Sequence, residues 1–423
     1  MLPIQLFRTD KDLVLEGLKK KNFKDTDLVH KIISLDEHRR QLQVENDNLA
    51  AAVNSASKLI GQLMAKGDKE QAELLKTQVA QNKEQAKTVS EKLAALETEQ
   101  YEALVQLPNL PHISVPFGKT PEDNEVVRTV GDIPDLSAQK LPHWELAAKY
   151  GLIDFELGNK VTGSGFPVFM GQGARLQRAL INYFLTYNTG AGYKEYCPPF
   201  MVNETSAFGT TQLPDKEGQM YHVTTENFFL IPTAEVPVTN LYRDTIIPEY
   251  DLPVKMTAYS PCFRREAGSY GKDVRGLNRV HQFDKVEVVQ LSHPAKSYEA
   301  LDEMLHHVEK LVQSLELPYR ILRLCGGDMS FSSALTYDFE VYSAAQERWL
   351  EVSSVSNFET FQTNRMKIRF KDSNGKMQLV HSLNGSSLAL PRIMAALLEN
   401  SQTPEGIKIP AALVPFFGKE MIN

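Results

Sequence analysis

The segment Phe263–Glu287, FRREAGSYGKDVRGLNRVHQFDKVE, decides the fold. It sets Arg264, Arg265, Arg275 and Arg279 among Gly268, Gly271 and Gly276, with Glu266 and the tripeptide His281-Gln282-Phe283. Apolar runs flank it: Val254–Tyr259 leads in and Phe283–Val289 leads out. The pattern predicts a strand, a glycine-rich loop and a second strand. An arginine at the end of the first strand offers a fixed guanidinium fork. Such a fork suits phosphate or carboxylate, because it is always charged and binds bidentately. The carboxylates beside it need a separate explanation.

Around this hairpin the chain mixes helices and strands. Helical patterns run over Ala174–Tyr187, Tyr298–Leu315 and Leu388–Asn400. Further strand-like runs are Phe228–Leu230, Arg320–Leu324, Thr336–Tyr342, Trp349–Val355, Met366–Phe370 and Gln378–His381. Strands follow one another instead of alternating with helices, which predicts an α+β fold with a mainly antiparallel sheet flanked by helices. Common nucleotide and hydrolase signatures are missing. There is no GxxxxGK[ST], no GxSxG and no HExxH, and Gly171-Gln172-Gly173 lacks a third glycine.

The first hundred residues have another texture. Between Leu28 and Met64 there is no proline and one glycine. Leu28, Leu35, Leu42, Leu49, Ala56 and Leu63 form one heptad series, and Ile32, Val53 and Ile60 a second, broken by Arg39 and Asn46. Lys66-Gly67-Asp68 is a turn signal, after which Leu75, Val79, Ala86, Val89, Leu93 and Leu96 form a further seam with Asn82 as its break. Two seams joined by a tight turn predict an antiparallel helical hairpin, a coiled coil with arms of about 50 Å at ~1.5 Å per residue. Residues 1–106 carry 16 basic and 17 acidic side chains, so the arm is no phosphate-binding stripe. The organisation read from this is an N-terminal domain at 1–106, a proline-rich linker with short extended pieces at 107–140, and a main domain at 141–423.

Bulk properties exclude several classes. A net charge of −7 over 423 residues is no polycation, so nucleic acid can be bound only through a local surface. No run approaches the length of a membrane span, and MLPIQLFRTDKDLVLEGLKKK does not read as a signal peptide. Cys197, Cys262 and Cys325 are widely dispersed, which excludes a disulfide framework or zinc knuckle and predicts buried, reduced thiols in a cytoplasmic protein.

Five segments in order, together with the hairpin, resemble the seryl branch of the class II aminoacyl-tRNA synthetases. Gln172–Pro199 is similar to motif 1 and Phe263–Phe283 to motif 2. Thr233-Ala234-Glu235 resembles the family's TxE element, Glu351–Phe370 its acidic strand, and His381–Asn400 motif 3. Arg265 departs from the usual small residue. The resemblance implies activation of L-serine with ATP and its transfer to the 3′ end of tRNA(Ser). In hosts that have a selenocysteine tRNA, it extends to that tRNA. Arg264, Glu351 and Arg392 would be catalytic. The ATP set would be Arg264, Arg265, Glu266, Val280, Phe283, Glu351, Val352, Ser353, Ser354 and Arg392. Glu266 would accept from the adenine amino group, Phe283 would stack on the ring, and Arg392 would hold the γ-phosphate. Thr233, Ala234, Glu235, Arg264, Glu287, Asn384 and Ser386 would hold serine, and Glu351 with Ser354 would carry Mg²⁺; no zinc is implied. Arg275 would meet the acceptor end of tRNA, the hairpin would grip its variable arm, and the protein would be a homodimer.

Two other readings keep the fold and change the function. An activator that loads a carrier protein has no use for the hairpin. A non-catalytic binding relative has no need of Arg264, Glu266, Glu351 and Arg392 together.

Overall fold

A computed structural model of the chain describes residues 1–266 and 275–423. The loop glycines Gly268 and Gly271 lie outside the described residues. The chain divides into two compact units, Met1–Pro108 and Asn109–Asn423. Among the described residues no helix is long and apolar enough to cross a membrane.

The N-terminal unit opens with two short helices, α1 (Ile4–Thr9) and α2 (Lys11–Lys20), the second capped by the Asp10 side chain on the Leu13 N–H at 3.0 Å. The hairpin follows as α3 (Asp27–Lys66) and α4 (Lys69–Val105). Its seam is the one the heptads dictate. Val79, Val89 and Leu93 are buried, and Leu42, Leu49, Ala56 and Leu63 are half-buried between exposed neighbours. Gly67 ends α3 in the left-handed region (φ 84°), and the Asp68 side chain accepts the Gln71 N–H at 3.2 Å to start α4.

The arm is fastened at its base by one buried charge. The Asp36 side chain is 3% exposed and takes Arg8 bidentately, both bonds at 2.7 Å. Gln100 reaches it from α4 at 3.4 Å, and Arg39 and Arg40 stand at 3.7 and 3.2 Å. The heptad break at Arg39 is thus part of an ionic collar.

In the second unit eight strands form one sheet: β1 (Glu125–Val130), β2 (Lys194–Glu195), β3 (Val254–Phe263), β4 (Gln282–Ser292), β5 (Tyr319–Arg323), β6 (Leu335–Ser343), β7 (Arg348–Glu359) and β8 (His381–Ala389). Their order is β1-β5-β6-β7-β8-β4-β3-β2, antiparallel throughout except for the parallel β2–β3 pair. Residues 107–140 therefore contribute an edge strand of this sheet. The run Met366–Phe370 is no continuous strand. Phe361–Met366 is a helical turn, Lys367 takes a left-handed conformation, and only Arg369–Lys371 is extended. Phe361 and Met366 are both buried, so packing outweighs the β-forming composition.

The sheet has two differently used faces, as alternation along β4 shows. Val286 and Val288 point into the main core, packed with α6 (Gly171–Gly190), α7 (Ser297–Ser314) and α8 (Leu390–Asn400). On α7 the stripe Leu301, Met304, Val308, Leu311 and Val312 is fully buried, at roughly 2 kcal/mol for each large aliphatic side chain. On the opposite face Val289 and Leu291 belong to a second core with Ala234, Met256 and Phe370. Lys285 and Glu287 share that face further up the strand and meet a cavity instead. Of the three cysteines, Cys262 and Cys325 are buried, whereas Cys197 is exposed, against expectation.

Replacing Asp36 by alanine removes the collar. The first unit is expected to lose about 2 kcal/mol, read from helical circular dichroism during thermal unfolding. Arg8 holds the Asp36 carboxyl below its ordinary value of 3.8, against the opposing effect of burial. The stabilisation should therefore be complete above that value and fade as pH falls through the depressed folded value.

Candidate active site

Described residues on both sides of the glycine-rich loop, among them Arg264, Glu266, Leu277 and Glu287, help to wall a cavity of about 510 Å³. β3 and β4 pair with Phe283 opposite Cys262 and Gln282 opposite Phe263, so the hairpin keeps its register up to the loop. Arg264 then donates its backbone N–H to the His281 carbonyl at 2.9 Å. Its guanidinium lies 5.2 Å from the centre of the Phe283 ring and close enough to Glu235 to act on its charge.

The floor is polar and buried. Glu287 is 1% exposed, and its carboxylate accepts from Lys285 Nζ at 2.6 Å, Asn384 Nδ2 at 3.1 Å and Ser386 Oγ at 3.4 Å. Ser386 faces Glu287 in the β4–β8 register, and Asn384 faces Val289, one diagonal away. Glu235 begins a short helix, Glu235–Asn240, with its N–H donated to Thr233 Oγ1 at 3.2 Å. Its carboxylate accepts from Gln362 Nε2 at 2.7 Å, and Gln362 is held in turn by the Ser382 hydroxyl at 2.8 Å. Burial pushes the Glu235 carboxyl up to about 7; the Gln362 bond works against that shift and the Glu287 charge adds to it.

The other end is lined by Val280, Phe283, Glu266, Arg279, Glu351 and Arg392. Glu266 sits in the left-handed region (φ 49°) and pairs with Arg279. That pairing answers why a carboxylate stands among the arginines. Arg392, in the first turn of α8, donates to two carbonyls, Asn278 O at 3.2 Å and Glu351 O at 2.8 Å. Its guanidinium is 3.7 Å from the Glu351 carboxylate.

β7 carries an irregularity at this point. Ser353 pairs with Phe339 and Glu351 with Glu340, so Val352 is an extra residue. This β-bulge puts Glu351 and Ser354, three apart, on the same side of the sheet. Asp338 stands opposite Ser354 in register and accepts its hydroxyl. Burial and the nearby Glu351 charge hold the Asp338 carboxyl well above the usual carboxylate range. Its Oδ1 is buried without a hydrogen-bond partner among the described residues. Among those residues no three His, Cys, Asp or Glu side chains converge into a metal cage. Glu351 and Ser354 line the cavity with Asp338 buried behind them, and a carboxylate beside a hydroxyl at open space suits a hard cation whose coordination phosphate oxygens would complete. That is how Mg²⁺ is held, and the residues fit it.

All the site residues expected from the sequence line this cavity except Arg265 and Ala234. Arg265 is exposed and donates its backbone N–H to Gln219 O at 2.9 Å. Ala234 is fully buried, its methyl in the second core. Arg275 lies 4.7 Å from the centre of the Trp144 ring. Sequence reading gave no role to Lys285, Asp338, Gln362 or Asn278. Lys285 was legible from alternation, being two residues from both Phe283 and Glu287. Asp338 carried no local signal.

The family described as tRNA synthetase class II core domain (G, H, P, S and T) matches residues 221–401, and that described as Seryl-tRNA synthetase N-terminal domain matches residues 1–111. The chain is 50% identical to a serine–tRNA ligase of Salinibacter ruber, covering 99% of this chain and 98% of that protein. It is 48% identical to one of Neisseria meningitidis, with the same coverage. Among solved structures, seryl-tRNA synthetase from Pyrococcus horikoshii complexed with ATP superposes with a TM-score of 0.93 at 32% identity, covering 100% of this chain and 99% of that one. Cytoplasmic serine-tRNA ligase from Naegleria fowleri in complex with AMP gives 0.89 at 29% identity, with the same coverage. The chain belongs to the seryl-tRNA synthetase family.

Proposed function

We propose that the protein activates L-serine with ATP and transfers it to tRNA, and that the 510 Å³ cavity is where both steps occur. The observation that carries the reading is the polarity of that cavity. A buried hydroxyl-binding clamp occupies one end and an aromatic, arginine-lined chamber the other, with Arg264 beside both.

In this reading the serine hydroxyl meets Glu287 and Ser386, with Asn384 beside them. Its ammonium meets Glu235, with Thr233 beside it. Arg264 holds the serine carboxylate against the α-phosphate. The adenine ring lies on Phe283 with Val280 beneath it, its amino group toward Glu266. Arg392 holds the γ-phosphate of a bent ATP. A carboxylate oxygen of serine then attacks the α-phosphorus in line, the bond to the bridging oxygen breaks, and pyrophosphate leaves. Activation needs no covalent enzyme nucleophile: the protein aligns two anions and neutralises the charge that builds between them. Glu351 and Ser354 would hold Mg²⁺, with Asp338 fixing the Ser354 hydroxyl, and the ion would supply charge neutralisation on the phosphates. In the second step a terminal ribose hydroxyl of tRNA attacks the acyl carbon and AMP departs.

The α3–α4 arm grips the variable arm of tRNA(Ser) by shape and backbone contact, in keeping with its balanced charge. Two copies pair through their catalytic units, so that the arm of one serves the site of the other. Loading of a carrier protein finds no support in a chain that keeps the arm along its whole length.

Serine-dependent ATP–pyrophosphate exchange is the direct test. Exchange should require serine, and alanine should be about 10⁴-fold poorer because it leaves Glu287 and Ser386 without their ligand. ATP binding without serine-dependent exchange would refute the assignment. With the Glu235 carboxyl at about 7, the proton must leave before an ammonium can pair with it. The KM for serine should therefore rise as pH falls below about 7 and level off above, by about tenfold per pH unit at the acid end. In Glu235→Gln that pH dependence should vanish.

Shortening the arm separates the two reactions. Asp36 faces Gln100 and Arg39 faces Glu97, so residues 43 and 93 are near-opposite across the hairpin. Replacing 43–92 by a short glycine turn keeps the ionic collar. Exchange should be unchanged while tRNA charging falls by at least about 100-fold, in keeping with the loss of several backbone contacts. Equal loss of both activities would assign the arm a folding role instead.

A further inference from the structure

Behind the cavity wall lies a buried polar cluster that the roles above leave unused. His143, the first residue of α5 (His143–Lys149), and Glu399, near the end of α8, are both fully buried. Glu399 Oε1 accepts from the His143 backbone N–H at 2.9 Å, the His143 Nδ1 at 2.6 Å and Gln346 Nε2 at 2.8 Å. Its Oε2 accepts the Ser343 hydroxyl. Four donors meet one carboxylate, with no Lys or Arg among them.

The far side of the imidazole faces Gly276 and Leu277. His143 Nε2 accepts the Leu277 N–H at 2.8 Å. A ring that accepts at Nε2 and donates from Nδ1 is neutral, with its proton on Nδ1. Gly276 makes the approach possible. Its φ is +67°, and a Cβ built there would lie 2.2 Å from His143 Nε2. Asn278, the residue after Leu277, is held a second way, its Nδ2 donating to Gln346 Oε1 at 2.8 Å. Two routes therefore run from Glu399 to Asn278, one through His143 and Leu277 and one through Gln346. The Asn278 carbonyl takes Arg392 Nε, and Leu277, Asn278, Arg279 and Val280 all line the cavity.

We propose that His143 and Glu399 are positioning residues for the ATP end of the site: they hold the returning limb Gly276–Val280 in place and, through the Asn278 carbonyl, aim Arg392. The proposal rests on the assignment of the cavity to ATP and serine. The serine clamp hangs on β4, β8 and the Thr233–Glu235 turn, and the bonds that fix Glu287 and Glu235 come from Lys285, Asn384, Ser386 and Gln362, none of them a member of this cluster. The two substrates should therefore respond differently when the cluster is cut.

The full-length chain is assayed by ATP–pyrophosphate exchange with ATP and serine titrated separately, and its thermal unfolding is recorded alongside. His143→Asn keeps a donor toward Glu399 and removes the acceptor for Leu277. Its KM for ATP should rise about tenfold, the worth of one buried hydrogen bond, while the KM for serine stays within about twofold. His143→Gln offers an oxygen near the place of Nε2 and should bring the ATP value back to within about threefold of wild type. Equal rises for both substrates, an unchanged ATP value in His143→Asn, or no rescue by glutamine would overturn the proposal. Should His143→Asn fail to fold, Gln346→Leu cuts the second route. A selective rise in the ATP value supports the proposal and an unaltered one overturns it. A wild-type chain without serine-dependent exchange would count against the functional reading itself. ATP titration calorimetry on the same variants then still reads the positioning role, with weaker ATP binding in His143→Asn expected and wild-type affinity overturning it.

Discussion

An ionised carboxylate deep in a protein interior survives only where other groups take up its charge. Glu287 is such a group, and the way it is satisfied organises the catalytic unit. Its partners come from its own strand, Lys285, and from the neighbouring strand, Asn384 and Ser386. Satisfying the charge therefore fixes how β4 and β8 present their upper faces. The lower faces are fixed separately by Val286, Val288 and the helices beneath them. One sheet thus separates two tasks: apolar packing below gives rigidity, and a charged floor above gives recognition. A polar group entering the cavity there would meet acceptors and donors already in place, with little reorganisation needed.

Charge elsewhere follows the same logic of local satisfaction. Glu266 stands on Arg279, Arg392 on two backbone carbonyls and Asp36 on three arginines. Arg39 and Arg40 could be taken from sequence for nucleic-acid contacts, yet they are spent on Asp36.

How much of this was legible in the sequence depends on the range of the signal. The hairpin seam is local and periodic, so Leu42, Leu49, Val79 and Leu93 could be placed from spacing alone. The hairpin around Arg264 was legible for the same reason. Arg264 lines the cavity and Arg265 does not, a distinction that composition does not make. The run Met366–Phe370 misled because its β-forming residues pack as a helical turn. Asp338, His143 and Glu399 were invisible because each acts through residues far away in the chain. His143 and Glu399, 256 positions apart, form one unit only after folding.

The bulge at Val352 bears on how β7 tolerates change. Leu350 and Val352 lie in the helical core before it, and Val355 lies there after it. Ser354, Ser356 and Phe358 reach the cavity because the extra residue has moved the alternation by one step. The strand therefore has a phase as well as a composition. A side chain can be exchanged for another of similar size with local effect only. Adding a single residue between Ser354 and Val355 would instead turn Val355 toward the cavity and Ser356 toward the helices. In this strand, length is under tighter constraint than identity.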